Sequence, residues 1–292
     1  MNAILVANPI LGPFVEFAFM RRALVGCLAL SLSAPPIGVF LVLRRMSLMS
    51  DAMAHAILPG AALGFLVGGL SVPAMTAGGL LAGLAVALGA GFVARHTVLR
   101  EDASLAAFYL LSLATGVTLV SMGGSNVDLL HFLFGSVLAL GDDALLLLGV
   151  VATLTLCWLA IAYRPLVIEC VDPLFLRLSG RASALTHLSF LAVAVLNLVA
   201  AFQALGTLLA VGLMILPAVA ARFWARGLGA QIGAAVALAA MSSVAGLLVS
   251  YHAGVPSGPA IILSAGTAYL LSLLFGPRGA LARGRPVGHL KG

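Results

Sequence analysis

The chain has 292 residues, of which 62% are hydrophobic and 8% charged, against about 25% charged residues in an ordinary soluble domain. That balance excludes a soluble globular domain and predicts an all-α, polytopic transmembrane helical bundle forming one domain over 1–292. The formal charge of +6 resides in no basic run interleaved with aromatics, so a nucleic-acid partner is excluded too.

The first residues, Met1 to Pro9, lack a basic region and a cleavage site and do not read as a cleaved signal peptide. Residues 1–22 are expected to form an interfacial segment. A helix needs about 20 apolar residues to cross the bilayer. Apolar runs at 23–43, 51–70, 73–94, 104–122, 143–163, 187–201, 205–221, 229–250 and 260–275 therefore predict eight or nine spans. The sixth and seventh are short and separated only by Phe202-Gln203-Ala204, as a tight hairpin or one bent unit. The stretch 126–140 is apolar but short, which predicts a re-entrant or interfacial outer segment. Residues 277–292 form a tail.

Asp51 and His55 stand out within the second run. Spacing i, i+4 places both side chains on one helix face, and an ionisable group inside a membrane needs a partner, an ion or a water-filled path. A carboxylate beside an imidazole suits a divalent transition metal. The bland alternative makes Asp51 a helix cap or a salt-bridge partner of Arg44 or Arg45, with His55 a satisfied core residue. Two ligands make a poor site, but a two-fold homodimer would assemble two Asp and two His, enough for the four-coordinate shell of zinc. Pro59 breaks the helical ladder just beyond, and Gly60, Gly64 and Gly68, with Gly79 and Gly83, allow close helix approach.

Asp128 and His131, at i, i+3 in the outer segment, are either a site that first receives metal or, more simply, interfacial polar residues. Asp142 and Asp143 read as acidic first-turn residues, and Asn197 and Gln203 as interhelical hydrogen-bonding groups. His96, His187 and His289 fall in inner loops or the tail, Tyr251 and His252 in an outer loop. The inner connection 164–186 holds Asp172-Pro173, a helix start, and Gly180, a stop. Between them Leu174, Phe175, Leu176 and Leu178 make an apolar surface, for the bilayer or for a cytosolic partner.

Arg44 and Arg45, Arg95 and Arg100, Arg164, Arg177 and Arg181, Arg222 and Arg226, and Arg278, Arg283, Arg285 and Lys291 all come after odd-numbered runs. The positive-inside rule makes those ends cytoplasmic. Arg21 and Arg22 are the exceptions among the 15 basic residues.

Four stretches, Leu43 to Gly60, Leu133-Phe-Gly-Ser136, Asp172 to Gly180 and Gly206 to Arg222, resemble the zinc/manganese family of ABC-transporter membrane permeases. They occur in family order, and the first and last are the most specific. The resemblance implies a homodimeric, multi-pass permease of a bacterial inner membrane. It implies two copies of a cytosolic ATP-binding subunit, an extracytoplasmic metal-binding protein that delivers the cargo, and uptake of zinc first or manganese second. It places Asp51 and His55 on the translocation path and makes 172–180 the helix seated on the ATPase. Ala54 stands where the family usually has Ser, removing a hydroxyl beside the ligands.

The residues agree with a divided machine. No GxxxxGK[ST] loop is present and the only lysine is Lys291, so ATP chemistry belongs to another chain. The chain is not expected to be an enzyme: no His is followed by Glu, which removes the HExxH metalloprotease. A proton-coupled secondary metal transporter is the rival, but Asp51 alone among nine acidic residues is a strong candidate for membrane depth. No permanently bound cofactor is expected; Zn2+ or Mn2+ is cargo.

Overall fold

A computed structural model describes residues 12–69, 71–99, 101–122, 137, 140–172, 175 and 182–281. Ten helices are described: α1 Gly12–Glu16, α2 Ala18–Leu43, α3 Met49–Gly68, α4 Val72–His96, α5 Glu101–Met122, α6 Asp142–Val171, α7 Ala182–Leu205, α8 Thr207–Ala221, α9 Leu228–Ala253 and α10 Ser257–Phe275. Each of the nine expected apolar runs is one of these helices, α2 to α10. Seven, namely α2, α3, α4, α6, α7, α9 and α10, are long and apolar enough to cross a membrane. With 15 residues, α8 rises about 22 Å, short of the roughly 30 Å hydrocarbon core.

Contacts between helix ends show which termini share a side. Arg22 pairs with Asp142 at 3.1 Å, joining the starts of α2 and α6. Arg21 and Arg22 thus lie in the first turns of α2, which begins five residues before the expected span. At the opposite side, the backbone N–H of Arg278 donates to the Phe223 carbonyl at 3.2 Å, and its guanidinium donates to the Ala225 carbonyl at 2.8 Å. The chain beyond α10 therefore meets the end of α8, as the alternation of basic loops requires.

Small residues set the spacing around α3. A Cβ on Gly60 would overlap the Gly78 carbonyl of α4, and one on Gly64 would overlap the Ala74 carbonyl. The two backbones touch, which is what glycines at four-residue spacing permit. α7 and α8 are joined by one residue, Gly206, at φ 91, and Phe202-Gln203-Ala204, expected to separate the two runs, lies inside α7. The core centres on α2, α3, α7 and α8, with Phe40, Met53, Ile57, Leu198 and Leu209 fully buried.

Several expectations change, among them His96, which closes α4, and Tyr251 and His252, which lie in the last turn of α9 rather than in loops. α6 runs through Pro165 to Val171, so the inner connection shrinks from 164–186 to 172–181, and Arg164 lies within the helix. Leu166, just past the proline, is fully buried, and that burial offsets the backbone bond lost at the proline. His187 is not a loop residue: it sits in α7 and is buried. Of the outer stretch 126–140, only Val137 and Leu140 are among the described residues, and both are buried.

Candidate metal path and its supports

α3 has two unlike faces. Ala52, Met53, Ala56, Ile57 and Gly60 are buried against the bundle, whereas Leu48, just ahead of the helix, and Asp51 are exposed and His55 is half-buried. The His55 Nε2 to Asp51 Oδ1 distance is 3.9 Å, with side-chain exposures of 39% and 66% respectively. The i, i+4 spacing therefore does bring acid and imidazole together, on a face of the N-terminal half of α3 that the described residues leave open. Among the described residues, no cluster of three or more His, Cys, Asp or Glu could hold a metal.

The alternatives for Asp51 can be checked directly. Asp51 lies in the first turn of α3, which starts at Met49, and it makes no cap bond there. Arg44, one of its candidate partners, is instead engaged by Glu169 of α6. His55 lies six residues past Met49, about 9 Å along the axis, so the pair occupies the N-terminal half of the helix. Pro59 brings no N–H to the His55 carbonyl, and that part of α3 is braced by α5. Ser112 donates its hydroxyl to the Ala56 carbonyl at 3.1 Å, and a Cβ on Gly116 would come within 2.6 Å of the Pro59 ring.

Other expected site residues divide sharply. Asp128 and His131 lie outside the described residues, as do Leu174, Leu176, Leu178 and Gly180. At Asp172 the carboxylate accepts the Phe175 N–H at 2.9 Å, a bond of the kind an N-cap side chain makes; the rest of the expected 172–180 helix lies outside the described residues. Phe175 is exposed. Asn197 donates to the Thr155 hydroxyl of α6 at 2.7 Å, and the Thr76 hydroxyl of α4 donates to Gln203, so both amides do join helices.

Sequence spacing missed a second acid–imidazole cluster. Arg44, at the end of α2, forms an ion pair with Glu169 near the end of α6; the two side chains are 8% and 10% exposed. Its guanidinium lies 3.1 Å from His187 Nδ1 and 4.5 Å above the Phe190 ring. Glu169 Oε1 is 3.5 Å from His187 Nδ1. Removing one member of a buried ion pair costs about 3–5 kcal/mol, although the intact pair adds little over apolar filling. The only local signal was one acid and one histidine flanking the inner connection; the third member is far away in sequence.

Known proteins share this architecture. Residues 16–276 match the ABC 3 transport family. The chain is 33% identical over 265 residues to a manganese import system permease protein, ScaB, of Streptococcus gordonii, covering 90% of this chain and 93% of that protein. It is 31% identical over 267 residues to a manganese transport system membrane protein, MntC, of Listeria innocua, covering 91% and 94%. Among solved structures, PsaBC from Streptococcus pneumoniae in complex with Fab superposes with a TM-score of 0.80 at 30% identity, covering 95% of this chain and 97% of that chain.

Proposed function

Because the chain belongs to the ABC 3 transport family and is a metal-transport permease of a bacterial inner membrane, we propose that it imports manganese through a path lined by Asp51 and His55. Two copies meet across the open faces of α3, and each supplies half the ligands. The observation that carries this reading is the acid–imidazole pair on an exposed face of the N-terminal half of α3, whose opposite face is buried in the bundle.

Coordination chemistry accommodates the shift from zinc, expected from the residues and the resemblance, to manganese, which the relatives' names favour. Two imidazoles and two carboxylates satisfy a tetrahedral ion one donor at a time. The same set reaches six donors when each carboxylate binds through both oxygens or when waters join, as manganese accepts. Intrinsic affinity runs the other way, with manganese lowest and zinc high in the divalent series. The site thus discriminates by geometry and delivery, not by affinity.

Energy comes from two copies of a cytosolic ATPase seated on 172–180, whose N-cap bond at Asp172 and exposed Phe175 suit a short docking helix. An extracytoplasmic metal-binding protein hands over the ion on the side of Asp142. Uptake of radiolabelled manganese by cells carrying Asp51→Ala or His55→Ala tests the reading. Uptake is lost while permease abundance and ATPase co-purification stay at wild-type levels; wild-type uptake in both variants would end the proposal.

A further inference from the structure

The charge cluster of Arg44, Glu169 and His187 occupies a junction to which metal passage itself assigns no role. Glu169 lies three residues before Asp172, and His187 lies seven residues after Gly180. The two residues therefore flank the proposed ATPase-docking segment on its two sides, one on α6 and one on α7. Arg44 binds both of them and presses on Phe190, one turn further along α7. A Cβ at Gly91 would lie 3.7 Å from His187 Nε2, so α4 closes over the same place.

Immediately after Arg44 the chain turns a stiff corner. Met46 N–H donates to the Leu41 carbonyl at 2.9 Å and Arg45 N–H to the Val42 carbonyl at 3.2 Å, the paired bonds of a Schellman cap. The cap residue, Arg45, is held at φ 61 without being glycine, alone in this among the described residues. Such backbone persists only where its surroundings over-determine it. Met46 and Met49 are then buried, at 7% and 2% exposure, and Asp51 comes next in the first turn of α3. Asp51 stands seven positions after Arg44, and this capped connection, anchored by buried Met46 and Met49, links the two.

We propose that Arg44, Glu169 and His187 form a positioning latch, joining both flanks of the ATPase-docking segment to the α2–α3 corner and thereby setting the placement of Asp51 and His55. The latch touches no metal. It ties displacement of the docking segment to the metal-bearing helix, so ATP turnover and metal passage proceed together. A buried ion pair suits this role because it is directional and fixes one register of its helices, whereas apolar packing of equal volume tolerates sliding. Arginine suits it further: its planar fork contacts carboxylate, imidazole and ring at once, which a lysine ammonium does not reproduce.

The inference rests on the manganese-permease reading, and its test separates the two. Wild type, Asp51→Ala and Arg44→Lys permeases, each assembled with the ATPase in proteoliposomes, are compared for ATP hydrolysed per manganese ion taken up. Arg44→Lys keeps the charge and loses the fork, so the ratio rises at least about tenfold while the amount of assembled complex and its metal-independent ATPase rate hold. A merely structural weakening lowers uptake and hydrolysis together and leaves the ratio at the wild-type value, which would overturn the latch alone. Absence of manganese uptake by wild type, or full uptake by Asp51→Ala, overturns the permease reading and the latch with it. Should Arg44→Lys fail to assemble, the double variant Arg44→Met/Glu169→Met removes both charges and carries the same expectation; a wild-type ratio there contradicts the latch.

Discussion

The molecule holds two acid–imidazole clusters, and their surroundings are opposite. At Glu169 and His187 an arginine completes the group and the bundle closes over it. At Asp51 and His55 nothing among the described residues completes the group, and both side chains face outward. The same residue types thus serve two physical ends. In the closed cluster the acid is already paired with a cation and the group joins helices. In the open one the acid has no cationic partner but its imidazole neighbour among the described residues.

The contrast can be broken experimentally, beginning with its largest consequence. Outer-shell changes at metal sites already cost about 10–100-fold in affinity, so removing a ligand takes uptake below that range. Asp51→Ala and His55→Ala should each leave manganese accumulation at background, without altering the melting temperature of the purified permease. The closed cluster should behave inversely. Arg44→Met strands the Glu169 charge and should destabilise the protein by about 3–5 kcal/mol, and adding Glu169→Met should recover most of that loss, both read from thermal unfolding in detergent.

Smaller effects sharpen the comparison between the two faces of α3 and the rest of the bundle. Gly60→Ala drives a methyl into the Gly78 carbonyl and should cost about 1–3 kcal/mol, the usual range for overpacking. Gly149→Ala, on an α6 face where a Cβ meets nothing within 4 Å, should stabilise by about 0.5–1 kcal/mol. A loss at Gly149 equal to that at Gly60 would show that backbone contact does not distinguish the two sites. Thr155→Val removes the hydroxyl that accepts from Asn197 and should cost about 0.6 kcal/mol, the average for hydrogen bonds between membrane helices.

Much of this architecture was legible in the residue order because membrane helices are read from local composition. The apolar runs correspond to α2 through α10, and Asp51 and His55 meet because four-residue spacing is a property of one helix. The acidic start at Asp142 and the cap at Asp172 were legible for the same reason. What escaped was non-local. Pro165 marks an end that burial of Leu166 overrides, which hides the helical placement of Glu169. His187 sits 143 positions from Arg44, a separation that no periodicity connects. The open face of α3 was equally invisible, since exposure depends on where the other helices pack.

The central claim is that Asp51 and His55 form half of one metal site completed by a second copy. Electron paramagnetic resonance of Mn2+ titrated into the purified, ATPase-free permease counts the bound ions and detects ring nitrogen around them. One bound ion per two chains, with nitrogen couplings that vanish in His55→Ala, is the expected result. One ion per chain, or an unchanged spectrum in His55→Ala, would contradict it.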